Sequence, residues 1–167
     1  MRRTIFQHGL RALALLALPL AAHAQSINID KDKPAGLKPS DLVGGYDIVS
    51  GEKFGVPEPD DRIKGSTVRF TEDRVVVMDK DSKEVYGAAY KLERSEIATT
   101  AEASGATAAR IRMTSKLADA EDEVAWGLVD KADDKVRLIY ALPGADAPRE
   151  FKTKDKQLMF VLKKKAG

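Results

Sequence analysis

From Asp41 onward the chain alternates. Apolar residues recur at every second position in short stretches, each closed by Gly, Pro, Asp or Asp-Lys turn residues, and no stretch keeps the spacing of a long helix. Strands of this length joined by short turns describe an antiparallel meander. The pattern predicts strands over 42–50, with Tyr46 and Ile48 on one face, and over 66–71, with Val68 and Phe70 inward and Thr67, Arg69 and Thr71 outward. Further strands follow over 74–78 (RVVVM, rich in β-branched residues) and over 84–93, with Tyr86, Ala88, Tyr90 and Leu92 together. Three more span 109–114, with Ile111 and Met113 against Arg110 and Arg112; 124–129, with Val124, Trp126 and Leu128 together; and 136–142, with Val136, Leu138, Tyr140 and Leu142 together. The last spans 157–162. The connection 51–65, with Pro57 and Pro59, has room for one helical turn, 97–108 reads as a loop or weak strand, and 117–123 reads as a loop. The fold class expected is all-β, an antiparallel barrel of about eight strands, because closing the meander removes the exposed edges that invite aggregation.

The first 24 residues follow a different rule. Arg2, Arg3 and Arg11 precede and flank an apolar run over 12–22, and Ala22-His23-Ala24 places small residues where a signal peptidase reads them. Eleven helical residues rise about 16 Å, half of the roughly 30 Å hydrocarbon core of a bilayer. The segment 1–24 is therefore expected to be a cleaved signal peptide. Contact with the membrane is confined to export, and the mature chain is periplasmic or secreted. The stretch 25–40 (QSINIDKDKPAGLKPS) is polar and aperiodic and reads as a flexible leader to a barrel domain over 41–165.

Cleavage alters the chemistry available. The whole chain has 28 Lys+Arg and 26 Asp+Glu, and 1–24 holds three Arg and no acid, leaving 25 basic and 26 acidic residues. Such a balance carries no basic excess for nucleic acid. His8 and His23 are both in the signal, and the chain has no Cys. Nucleophilic machinery of the Ser–His–Asp or Cys–His type has no parts to work with. Zinc and copper lose their usual ligands too. The expectation is a non-enzyme without cofactor or metal.

Two acidic clusters invite other readings. Asp79-Lys80-Asp81-Ser82-Lys83-Glu84 has acids at the first and third positions of a calcium loop, but Lys83 occupies the fifth and Glu84 the sixth, where Gly is needed. A charged hairpin turn fits better. Glu58, Asp60 and Asp61 are too close in sequence for two acids to flank one glycosidic bond, and helix capping near Arg62 and Ile63 is the plainer role.

Several stretches carry a family likeness: Leu42-Val43-Gly44-Gly45-Tyr46, Ser50-Gly51-Glu52, Ile63-Lys64-Gly65 with Val68-Arg69-Phe70-Thr71, Leu138-Ile139-Tyr140-Ala141-Leu142-Pro143-Gly144, Ala147-Pro148, Phe151, and Phe160-Val161-Leu162. Together they resemble the lipocalin-like domain of uncharacterised exported proteins numerous in planctomycetes, with Tyr46 where such domains often carry Trp. The resemblance spans roughly 41–164. It implies a lipocalin-like barrel and names no reaction or ligand. Independently of it, Pro143 and Gly144 end a strand in a sharp reversal, from which Phe151 can fold back over an open barrel end.

Alternation turns Tyr46, Val68, Phe70, Tyr90, Met113, Trp126, Leu138, Tyr140 and Phe160 inward. An eight-stranded barrel is just wide enough for side chains to fill it or for one small ligand. The leading expectation is non-covalent binding of a small apolar or amphipathic ligand by these nine residues. The alternative is a filled barrel serving as a cell-envelope structural or protein-interaction module through loops such as 51–65 or 98–108. A third reading is a protein inhibitor of a secreted enzyme.

Overall fold

The computed structural model describes residues 36–93, 107–115 and 122–166. The expected signal peptide, most of the leader, and the expected loops over 97–106 and 117–121 lie outside the described residues. The elements are α1 (Pro39–Leu42), β1 (Gly44–Lys53), β2 (Val56–Pro57), α2 (Asp60–Ile63), β3 (Thr67–Phe70), β4 (Arg74–Met78), β5 (Glu84–Glu93), β6 (Thr107–Ser115), β7 (Glu123–Ala132), β8 (Lys135–Ala141) and β9 (Gln157–Lys164). Every neighbouring pair is antiparallel, in the order β1-β3-β4-β5-β6-β7-β8-β9, and β9 returns to pair with β1. The eight strands close, as the alternation predicts, and β2 is a short hairpin partner at the far end of β1.

Register assigns the interior. The pairs Tyr46↔Val68, Val68↔Val77 and Val77↔Tyr86 lie on one face, as do Tyr90↔Met113 and Met113↔Ala125, and Val129↔Leu138 with Leu138↔Phe160. Between Ile48 and Ser50 the register of β1 slips by one residue against β9. The slip brings Gly51 opposite Phe160, and a Cβ on Gly51 would stand 3.2 Å from that ring. Glycine there makes space for the aromatic.

One end of the barrel is plugged. Leu37 and Leu42 are buried in the core cluster, and the Tyr46 hydroxyl donates to the Leu42 carbonyl at 2.7 Å. Lys131 Nζ donates to the carbonyl of Asp41 at 2.6 Å, tying α1 to the end of β7. Beneath α1, Tyr46 meets Phe70 edge-to-face at 5.8 Å, and Phe70 meets Tyr90 likewise at 5.7 Å, an arrangement that ring quadrupoles favour. Two expectations are corrected here. Leu42 does not open β1 but ends α1, and 36–40 is not a free leader, because burying Leu37 and Leu42 over the aromatic floor removes their apolar surface from water.

A further correction concerns β7. Its inward residues are Ala125, Gly127 and Val129, whereas Trp126 is half-buried on the outer wall, opposite Arg112. The physical reason is space. Gly127 faces Tyr140 and Ile111, and a Cβ on it would stand 2.2 Å from the Ile139 carbonyl oxygen, 3.0 Å from Tyr140 Cβ and 3.1 Å from Ile111 Cγ2. An indole on this row would overfill the barrel.

The segment 142–156 packs on the outside of the barrel. Leu128, Ile139 and Ala141 point outward yet are buried, and Pro148, Thr153 and Gln157 are buried beside them. Gln157 fastens the segment by donating to the Asp146 carbonyl and accepting from the Lys154 N–H, both at 3.0 Å. Thr153 reaches the β1–β2 hairpin, donating to the Glu52 carboxylate and accepting from the Gly55 N–H at 2.8 Å. Phe151 lies against the Arg137 guanidinium at 4.3 Å on this outer wall, not over the open end, and Leu142 is exposed beyond β8. The acidic clusters have structural partners. Asp79 accepts the N–H groups of Asp81 and Lys83 at 2.9 Å, closing the β4–β5 turn, and Glu58 pairs with Arg62 at 3.8 Å. The cap of α2 is Pro59, without side-chain capping; Asp60 and Asp61 instead occupy its first turn, where the helix dipole favours them.

Candidate functional site

The end opposite the plug is where the interior reaches solvent. Ile48, Val77, Tyr86, Tyr140 and Phe160 are partly buried against the core there. Tyr140 and Phe160 come from the adjacent strands β8 and β9, their rings stacked 6.5 Å apart with planes at 30°. Tyr86 lies on β5, whose pairing with β6 covers only part of the strand among the described residues. β5 pairs with β6 only from Ala89 to Glu93, so among the described residues Glu84–Ala88 have no strand on that side. A cleft of about 720 Å³ opens at this seam, lined by Tyr86 and Ala88 from the interior row and by Arg74, Glu84, Ser115 and Glu123 at its polar margin.

The phenols stay protonated at neutral pH. Burial holds the Tyr140 hydroxyl far above the ordinary phenol range, and the neighbouring Tyr86 adds to the effect. Burial also raises Tyr86, with Glu123 reinforcing and a hydrogen bond from Ser115 opposing. Tyr90, whose hydroxyl donates to the Thr71 carbonyl at 2.8 Å, is pushed up to about 12 by burial and by Asp73. Neutral hydroxyls at the rim of an apolar surface are donors that can orient a bound polar group without charging it.

These shifts predict an alkaline limit to stability. Unfolded tyrosines ionise near pH 10. Because the folded pKa values lie higher, the unfolded state loses protons that the native state retains. Stability is therefore untouched below about pH 10 and falls above it, by about 1.4 kcal/mol per pH unit for each phenol held neutral. Denaturant unfolding at pH 9, 10, 11 and 12 should show the decline starting at 10, and Tyr140→Phe should make it shallower. A flat profile to pH 11.5 would contradict the burial described.

Of the nine residues expected inside, Tyr46, Val68, Phe70, Tyr90, Met113 and Leu138 are buried in the core cluster, most of them filling the plugged half. Tyr140 and Phe160 sit at the open end, and Trp126 is outside. Tyr86 and Ile48 belong to the open-end group as well; Tyr86 shares the alternation of Tyr90, and that parity is the signal by which it can be found. Comparisons with family models, with curated proteins and with solved structures return no match.

Proposed function

We propose that this chain is an exported, non-catalytic barrel of the lipocalin-like type that holds a small apolar or amphipathic molecule at its open end. The observation carrying the reading is the open-end group of Tyr86, Tyr140, Phe160, Ile48 and Val77, of which Tyr86 also lines a cleft of about 720 Å³, while the other end is plugged by α1. That volume falls in the range of small-molecule pockets, roughly 300–1,000 Å³. Export rests on the signal-type segment 1–24, and the absence of catalysis rests on a chain that holds neither His nor Cys after it. The likeness to the planctomycete-type lipocalin-like domains agrees with the barrel and is proposed with it.

Native mass spectrometry of the purified exported protein should show a retained ligand mass. In parallel, the apolar dye N-phenyl-1-naphthylamine should bind saturably with enhanced emission. Tyr86→Ala with Tyr140→Ala should weaken dye binding by about tenfold or more, since each ring contributes on the order of 1–2 kcal/mol of apolar contact. Absence of both a retained mass and dye binding would leave the barrel a filled scaffold and sink the proposal.

A further inference from the structure

Trp126, the single tryptophan of the chain, lies on the outer wall between two arginines. The guanidinium carbon of Arg110 is 4.7 Å from the centre of its ring and that of Arg112 is 5.8 Å from it. Both arginines point outward from β6, two positions apart, and are half-buried. Residues so spaced on a strand are about 6–7 Å apart. Across β5, Arg112 faces Lys91 and Arg110 faces Glu93. Among the described residues, no carboxylate stands within the 4.0 Å of an ion pair with either guanidinium, Glu93 included.

Two like charges are thus held side by side without a counter-charge in contact among the described residues. Both guanidinium groups lie within cation–π range of the indole, which leaves their N–H groups available as donors. Arg110, though not Arg112, borders a groove of about 530 Å³ between the barrel wall and the 142–156 segment. Arg110 and Leu128 line one side, and Pro148, Arg149 and Lys152 line the other. Asp146, Glu150 and Lys154 also border it, and Glu150 is engaged by Lys154 at 3.4 Å. The cations facing the groove without an ion pair among the described residues are Arg110, Arg149 and Lys152.

We propose that Arg110, held over Trp126 with the charge of Arg112 beside it, forms with Arg149 and Lys152 a binding site for a phosphate-type oxyanion, a phosphoryl or pyrophosphoryl group. The chemistry follows from the donors. Guanidinium forks match phosphate oxygens in pairs, and a doubly charged group relieves the repulsion between neighbouring arginines. The site is on the outer wall and is independent of the ligand proposed for the open end.

Trp126 supplies the readout, because an anion that draws either guanidinium off its ring alters its emission. Inorganic pyrophosphate titrated at constant ionic strength, against chloride as the reference salt, should change Trp126 fluorescence saturably. Isothermal calorimetry should return the same dissociation constant. Arg110→Gln should raise that constant by about tenfold or more, as loss of a charge-assisted hydrogen bond predicts. Arg110→Lys, which keeps the charge and loses the fork, should fall between the two. Arg149→Gln with Lys152→Gln, on a surface segment outside the barrel strands, should weaken binding while leaving the melting temperature unchanged.

Vesicles distinguish the source of the phosphate. Binding to phosphatidylglycerol vesicles but not phosphatidylcholine vesicles, competed by pyrophosphate, assigns a lipid headgroup; pyrophosphate binding alone assigns a free phosphorylated compound. A response to pyrophosphate no larger than to chloride, or an affinity unchanged from the parent in both Arg110→Gln and the surface double variant, would overturn the site.

Discussion

Phe70→Ala is expected to lower the unfolding free energy by about 3–5 kcal/mol, the range for deleting a buried aromatic from a core that cannot collapse around the gap. Phe70 is 1% exposed, and its ring is the middle member of the edge-to-face row Tyr46–Phe70–Tyr90. Removing it cancels both aromatic contacts together with the transfer term. The neighbours have little freedom to move in, because the Tyr46 and Tyr90 hydroxyls are tied to the carbonyls of Leu42 and Thr71. Against a total stability of about 5–15 kcal/mol for an ordinary domain, this is a large fraction. Tyr90→Phe keeps the ring and loses one hydrogen bond, so it should cost only about 1 kcal/mol. Urea unfolding followed by circular dichroism checks both, as a shift in midpoint at constant slope. A loss below 1.5 kcal/mol for Phe70→Ala would mean that the plugged end is not the packed floor described.

That floor was readable in part. Tyr46, Val68, Phe70 and Tyr90 each stand next to polar or small residues of the opposite parity, so local alternation turns them inward. The plug itself was not readable. Leu37 and Leu42 are two apolar residues in a polar, Pro-containing stretch, and a four-residue helix is too short to display a period. The failure at β7 has another cause. Every residue from Val124 to Val129 is apolar or Gly, so neither parity is marked, and side-chain size suggests Trp126 and Leu128 for the interior. The decision belongs to residues distant in sequence: Tyr140 and Ile111 fill the space beside Gly127, while the 142–156 segment and two arginines cover the outer face. A chain that buries residues on both sides of one strand loses the alternation by which its faces are told apart. The open end was legible to the extent that Tyr140, Phe160 and Tyr86 alternate correctly.

Breaking the ion pair under the 142–156 segment should be nearly as costly as losing Phe70, and strongly asymmetric between its partners. Asp130 and Arg137 face each other across β7 and β8. The guanidinium makes bidentate contact with the carboxylate, with Nε 3.1 Å from both oxygens and Nη2 closing on Oδ2. The Asp130 side chain is 4% exposed, whereas that of Arg137 is 36% exposed and lies against Phe151. Arg137→Met therefore leaves a carboxylate buried on the outer wall with its counter-charge gone, at a cost of about 3–5 kcal/mol. Asp130→Leu leaves a guanidinium that can turn to water, so only the charge-assisted hydrogen bonds are lost, about 1.5–3 kcal/mol. The double variant removes both charges and substitutes apolar volume at a site already flanked by Phe151. It should return to within about 1 kcal/mol of the parent, since apolar replacement of a buried pair is often neutral or better. Equilibrium unfolding of the four proteins closes the cycle, and the coupling should be several times the value of an exposed pair, about 0–1 kcal/mol. Equal costs for the two single variants, or a double variant as unstable as their sum, would show that the pair is solvated and that the segment does not seal this wall.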